Sequence, residues 1–169
     1  HAHPHLVGAL SAAAAKPWHV SNLFDIPEAE RLARRLVQAT FADLVFFTNS
    51  GTESVEGCLK MAMLATGRKH FIGAVGGFHG KSLGSLGGTS KAVFREPFLP
   101  LLNWSHVPFG DKDALKTLME TCDFSGDRVA AVVLEPIQGE AGINVAPPGY
   151  LAAARELCDK YGALLIFDE

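Results

Sequence analysis

Three groups of polar residues in this 169-residue chain have types and spacings that could do chemistry, and each directly follows an apolar run. They are Asn49-Ser50-Gly51-Thr52-Glu53, then Glu135 with Gln138 and Glu140, and last Asp168 with Glu169. Ser50-Gly51-Thr52 opens a stretch of helical spacing. The N–H groups of a helix's first turn have no intrahelical acceptor and present a partial positive charge. Glycine lets an anion approach the backbone, and the hydroxyls of Ser50 and Thr52 can add hydrogen bonds, so phosphate is a natural ligand here. The same residues also read as an ordinary helix cap with a turn glycine. The lysine and glycine spacings of a Walker loop or a dinucleotide fingerprint are absent.

Gly76-Gly77-Phe78-His79-Gly80-Lys81 sets an aromatic ring, an imidazole and an amine among glycines. A flat heterocycle could lie against Phe78, or the ring could simply anchor the loop to the core. Asp168 follows the apolar run Ala163-Leu164-Leu165-Ile166-Phe167. A carboxylate at the tip of a buried strand needs a cationic or hydrogen-bonded partner, because its desolvation is otherwise costly. A protonated ring nitrogen would serve, and so would the backbone of a following loop. An anion grip, a stacking face and a counter-ion for a ring nitrogen are together what a pyridinium phosphate requires.

The elements that must position these groups alternate. Helical spacing covers Leu6 to Ala15 and Pro27 to Thr40, and a strand is expected over Leu44 to Phe47 ahead of a helix from Thr52 to Ala65. The rhythm continues with a strand over His70 to Val75, a Gly-rich stretch to Gly88, an extended Ser105 to Phe109 and a helix from Lys112 to Cys122. It closes with a strand over Arg128 to Leu134, a loop from Pro136 to Gly149, a helix from Tyr150 to Tyr161 and a buried strand from Ala163 to Phe167. This alternation predicts an α/β fold, a mostly parallel sheet with helices on both faces. In such sheets ligands bind beyond the carboxyl ends of the strands, where the three polar groups fall.

Composition narrows the function. The chain is 48% hydrophobic and 20% charged, enough apolar material for one globular core, and its net charge of −3 offers no basic field for nucleic acid or an anionic membrane surface. No apolar run reaches the roughly 18 residues of a bilayer span, and no signal peptide is visible. Cys58, Cys122 and Cys158 are few and scattered, which suits reduced thiols used in packing. His1, His3 and His5 alternate, but no carboxylate or cysteine completes a coordination set, so no metal site is expected. The start at His1 without a Met and the finish at a strand tip are expected of a truncated chain.

Four strings carry a resemblance to a family: FFTNSGTESVE, FHGKSLG, LEPIQGEAG and LLIFDE, together with His3-Pro4-His5 and Trp18-His19-Val20-Ser21-Asn22-Leu23-Phe24. In order and spacing they resemble the class III pyridoxal-phosphate aminotransferases, of fold type I. The resemblance implies an N-terminal helical segment over 1–43 and a partial large domain over 44–169, ending before the family's Schiff-base lysine. It implies that Ser50, Gly51 and Thr52 bind the phosphate, that Phe78 stacks on the ring, and that Asp168 partners the pyridine nitrogen. His79 and Glu135 would support that arrangement from behind, and Glu140 would pair with an arginine from a later part of the protein. It further implies a cytoplasmic homodimer that moves an amino group from an amine donor to a 2-oxo acid, 2-oxoglutarate above all.

On the substrate side, Lys81 stands where acetylornithine-type members carry arginine, and lysine offers a point charge in place of a bidentate fork. FHGKSLG and Pro97-Phe98-Leu99-Pro100-Leu101-Leu102 resemble putrescine-type members, whereas WHVSNLF resembles the acetylornithine type. A diamine or ω-amino donor is the expectation, with an acetylornithine- or ornithine-type enzyme as the alternative. From a different class, a noncatalytic α/β module holding a phosphorylated ligand at Ser50 to Thr52 is the competing reading.

Overall fold

The computed structural model describes residues 1–21 and 23–169. Asn22, within the WHVSNLF string, lies outside the described residues. The chain divides into two compact units, residues 1–46 and 47–169.

The first unit holds helices α1 (Pro4–Ala14) and α2 (Pro27–Ala39). A proline opens each one, at a position where its missing N–H would have had no partner. The Nδ1 of His3 accepts from the N–H of His5 at 3.3 Å, so this histidine of the HAHPH string caps a helix. Glu28 reaches Arg31 (3.4 Å) and Lys16 (3.6 Å) in exposed pairs that contribute little to stability. The strand expected over Leu44 to Phe47 does not form. Leu44 and Phe46 are 89% and 75% exposed, and the segment pairs with no strand among the described residues. An apolar run becomes a strand only where a neighbour takes its backbone hydrogen bonds.

The second unit runs from α3 (Gly51–Thr66) through β1 (His70–Ala74), α4 (Leu83–Gly88), α5 (Ala92–Arg95) and β2 (Asn103–Val107). It continues with α6 (Lys112–Ser125), β3 (Val129–Leu134), a small antiparallel pair β4 (Ile137–Gln138) and β5 (Asn144–Val145), α7 (Tyr150–Tyr161) and β6 (Leu164–Phe167). The pairs β1–β2, β1–β3 and β3–β6 are all parallel. Val55, Leu59 and Ala62 of α3 pack with Phe71, Ala130, Ala131 and Val133 on one face. Leu115 and Met119 of α6 and Tyr150, Ala154 and Cys158 of α7 pack with Ile72, Val132 and Leu134 on the other. Ala130 and Ala131 share a face because the β1–β3 register slips there, pairing His70 with Val129 but Phe71 with Ala131.

The helix starts follow local chemistry. Asp111 caps α6 by accepting from Asp113 and Ala114 N–H, and left-handed glycines at 67, 126 and 162 end α3, α6 and α7. The Gly-rich stretch to Gly88, given no element from the sequence, holds α4, whose first N–H groups are satisfied by Glu56 rather than by a neighbour in sequence. The final strand was expected to be buried, yet Leu164 and Phe167 are 39% and 42% exposed because β6 is an edge strand, paired with β3 alone. Arg68 Nη1, just past α3, donates to the carbonyls of Val129 (2.9 Å), Tyr161 (2.9 Å) and Gly162 (3.0 Å). It thereby ties the end of α3 to the amino end of β3, while Thr52, at the start of α3, meets the loop after β1 at the opposite, carboxyl edge.

Candidate cofactor site

At the carboxyl edge, the residues that follow β1, β3 and β6 converge. The Nδ1 of His79, after β1, lies 2.7 Å from Asp168 Oδ2, after β6. Asp168 is half-buried, its side chain 24% exposed, in place of the full burial expected at a strand tip. Its Oδ1 accepts no hydrogen bond among the described residues. The charge of Asp168 also reaches α3, where burial first and then this carboxylate push the Cys58 thiol above its ordinary value. Asp168 N–H continues the ladder to Leu134 carbonyl at 3.0 Å, which fixes the backbone beneath the carboxylate.

His79 is locked from several sides. Its N–H donates to Thr89 Oγ1 (3.0 Å), and Thr89 Oγ1 donates to the carbonyl of Gly80 (2.9 Å). The ring stacks on Trp104 of β2 with centroids 6.3 Å apart, and its Nε2 is buried with no hydrogen bond among the described residues. With Nδ1 donating to one carboxylate oxygen, the other oxygen of Asp168 is available as an acceptor. Nearby, His106 Nε2 meets Gly88 carbonyl at 3.0 Å, and burial pushes its pKa down.

Phe78 is half-buried, and its N–H donates to Glu135 Oε1 at 2.8 Å. The other oxygen of Glu135 takes the N–H of Gly139 at 3.0 Å, so this carboxylate bridges the loops after β1 and β3 through their backbones. Buried Gln138 closes the same seam by donating to Val75 carbonyl at 2.9 Å. Gly76, at φ +86°, is obligatory there, since an added Cβ would sit 2.8 Å from Gln138 Oε1.

At the start of α3 the Thr52 hydroxyl is engaged within the fold, whereas Ser50 Oγ acts as an acceptor and keeps its O–H to donate. Ser50 Oγ accepts from Glu53 N–H at 3.4 Å as the helix cap, while Glu53 Oε2 takes Asn49 N–H at 2.7 Å. Thr52 Oγ1 turns inward, 2.7 Å from Ser82 Oγ and 2.8 Å from Ser85 Oγ. What remains for an anion is the Ser50 O–H and the backbone: the N–H groups of Gly51 and Thr52 lie in the first turn, and Gly51 faces open space with nothing within 4 Å of where a Cβ would be.

Of the two substrate-side candidates, Lys81 has its Nζ 5.5 Å from the centroid of the Phe94 ring, and Glu140 pairs with Lys91 at 2.7 Å. Glu56, Ser82, Ser85, Thr89 and Trp104 were not singled out from the sequence. Glu56 carried one signal, its position four residues after Thr52 on the same helical face.

A parallel sheet covered on both faces, with this carboxyl-edge cluster, is the architecture of the fold type I pyridoxal-phosphate enzymes. The family model described as Aminotransferase class-III matches residues 1–169, and the chain belongs to that family. Among solved structures, N-acetylornithine aminotransferase from Stenotrophomonas maltophilia K279a is 37% identical with a TM-score of 0.75, over 98% of this chain and 40% of that one. Taurine:2-oxoglutarate aminotransferase from Bifidobacterium kashiwanohense, solved with PLP and glutamate, is 30% identical with a TM-score of 0.83, over 97% of this chain and 42% of that one. Ornithine aminotransferase from Toxoplasma gondii is 27% identical with a TM-score of 0.86, over 99% and 40%. The chain thus spans about two fifths of the length of these proteins.

Class III aminotransferases use pyridoxal 5'-phosphate. The residues present fit it: open first-turn N–H groups at Gly51 and Thr52 suit a phosphate, and the free Oδ1 of Asp168 suits a ring N–H. Among the described residues no helix is long and apolar enough to cross a membrane.

Proposed function

We propose that this chain supplies the phosphate turn and the ring-facing carboxylate of an aminotransferase that moves an amino group from an ω-amino donor to a 2-oxo acid, with 2-oxoglutarate the acceptor. The observation that carries this reading is the Asp168–His79 pair, 2.7 Å apart at the carboxyl edge of the sheet, with one carboxylate oxygen left free. Gly51 and Thr52 would hold the phosphate through their N–H groups, Phe78 would flank the ring, and Glu135 would fix Phe78 through its backbone. Asp168 would keep the ring nitrogen protonated, and His79 would hold Asp168 in place. The cofactor, when bound, accepts the electron pair freed as the substrate's Cα–H bond breaks. The lysine that the family joins to its cofactor is expected in the sequence beyond Glu169.

The donor follows from charge and likeness. Lys81 is exposed and offers a single ammonium where a fork would grip a carboxylate in two places, which favours a donor without an α-carboxylate, such as putrescine. An N-acetylornithine donor is the second reading, favoured by the 37% identity to the Stenotrophomonas enzyme. N-acetylornithine and taurine, named for two of the related structures, each carry their free amine away from the acid group. The test is a panel of putrescine, N-acetylornithine and 4-aminobutyrate with 2-oxoglutarate, run on the full-length protein. A kcat/KM at least tenfold higher for putrescine supports the first reading, preference for N-acetylornithine supports the second, and no glutamate formed from any amine overturns both.

A further inference from the structure

We propose that Glu56 is a positioning residue that sets the spacing between the phosphate turn at Gly51–Thr52 and the loop carrying Phe78 and His79, an inference that rests on the pyridoxal-phosphate reading above. Glu56 lies one helical turn after Thr52 on α3, so both side chains leave the same face. Its Oε1 accepts three hydrogen bonds from the far side: Ser82 Oγ at 2.5 Å, Gly84 N–H at 2.8 Å and Ser85 N–H at 3.0 Å. The carboxylate therefore does for α4 what a cap residue of its own would do, from a different element. Ser82 itself makes no side-chain cap bond to α4. The hydroxyl of Ser82, which donates to Glu56, and that of Ser85, whose N–H does so, both continue to Thr52 Oγ1, and Ser82 N–H reaches the same oxygen at 3.4 Å.

The backbone is shaped for this contact. A Cβ on Gly84 would overlap the Glu56 carboxylate, and a Cβ on Gly80 would overlap Thr52 and Ser85. Gly80 follows His79 directly, and its carbonyl is held by the Thr89 hydroxyl that also takes His79 N–H. One set of hydrogen bonds thus runs from Glu56 through Ser82 and Ser85 to Thr52, and the carbonyl of Ser85, which accepts from Thr89 N–H at 3.2 Å, continues it through Thr89 to His79, the residue that holds Asp168. Glu56 touches neither end. Its contribution is to hold two cofactor-facing segments, about 30 residues apart in sequence, at one separation.

The test compares pyridoxal phosphate with pyridoxal, which lacks the phosphate, by measuring the affinity of the full-length apoenzyme for each. Glu56→Ala is expected to weaken pyridoxal phosphate binding roughly ten- to a hundredfold, the scale of one to two lost charge-assisted hydrogen bonds, while pyridoxal binding stays within about twofold. Glu56→Gln keeps an oxygen that can accept from Gly84 and Ser85 and should stay within about threefold of wild type. Should Glu56→Ala not fold, Ser82→Ala with Ser85→Ala removes the hydroxyl arm of the same link, from Glu56 to Thr52, and a loss confined to the phosphate-bearing form is again expected. Equal weakening for both cofactors, or none for either, would overturn the positioning role. A wild-type enzyme that binds pyridoxal as tightly as pyridoxal phosphate would instead overturn the phosphate turn itself, and so the reading beneath.

Discussion

Asp168 has one oxygen bound to His79 and the other open. The sequence showed that a carboxylate at a strand tip needs a partner, because the apolar run before it and the cost of desolvation are both local facts. It could not show that His79 would take one of the two oxygens, since His79 stands 89 positions earlier and meets Asp168 only across the folded edge. Thr52 teaches the converse. Its hydroxyl reads as free in sequence, yet Ser82 and Ser85 claim it, because periodicity assigns a residue to a face and leaves its partner open. In the full-length enzyme, Asp168→Asn is expected to lower kcat about a hundredfold or more, as one preorganised charge is lost, and to change phosphate-dependent cofactor affinity far less. Steady-state kinetics alongside a cofactor titration measure both, and a kcat within threefold of wild type would refute the role.

Helices α3, α6 and α7 and strands β1 and β3 were legible from apolar period and terminal glycines, and α7 falls on the expected residues. Segment 44–47 and α4 were not. The first has the apolar character of a strand without a neighbour, and the second is a glycine-rich run made helical by Glu56 from another element. The glycines of α4 are there for packing. A Cβ on Gly88 would lie 2.7 Å from Trp104 Cη2 and 3.0 Å from His79 Cδ2, and neither ring can retreat from a packed stack. Gly88→Ala should therefore destabilise the full-length enzyme by about 1–3 kcal/mol in denaturant unfolding and lower activity together with stability. Gly139→Ala, where a Cβ meets nothing within 4 Å, should be close to neutral. Equal effects at the two sites would show that the Trp104 contact does not constrain α4.

Across the whole second unit, the larger core lies between the sheet and α6 and α7, and it holds Cys158 and Tyr150 among its ionisable groups. Burial pushes the Cys158 thiol from 9.0 up to about 11 and the Tyr150 phenol from 10.0 up to about 12. Both folded values are raised, so the native state holds protons that the unfolded chain would release. This contribution is complete below pH 9 and is lost as pH rises through 11 and 12. Unfolding free energy should be level with respect to these groups up to pH 9 and decline beyond it. With Cys158→Ala the decline between pH 9 and 11 should be shallower than in wild type, and parallel curves would contradict burial of the thiol.

The account as a whole stands on the carboxylate at the sheet's edge acting on a ring nitrogen. The most direct measurement is the nitrogen-15 chemical shift of pyridoxal phosphate labelled in its ring and bound to the full-length enzyme, in wild type and in Asp168→Ala. The expected result is a ring nitrogen that stays protonated in wild type at pH values well above neutral and loses its proton in the variant. An unprotonated nitrogen in wild type, or the same protonation in both proteins, would contradict the role given to Asp168.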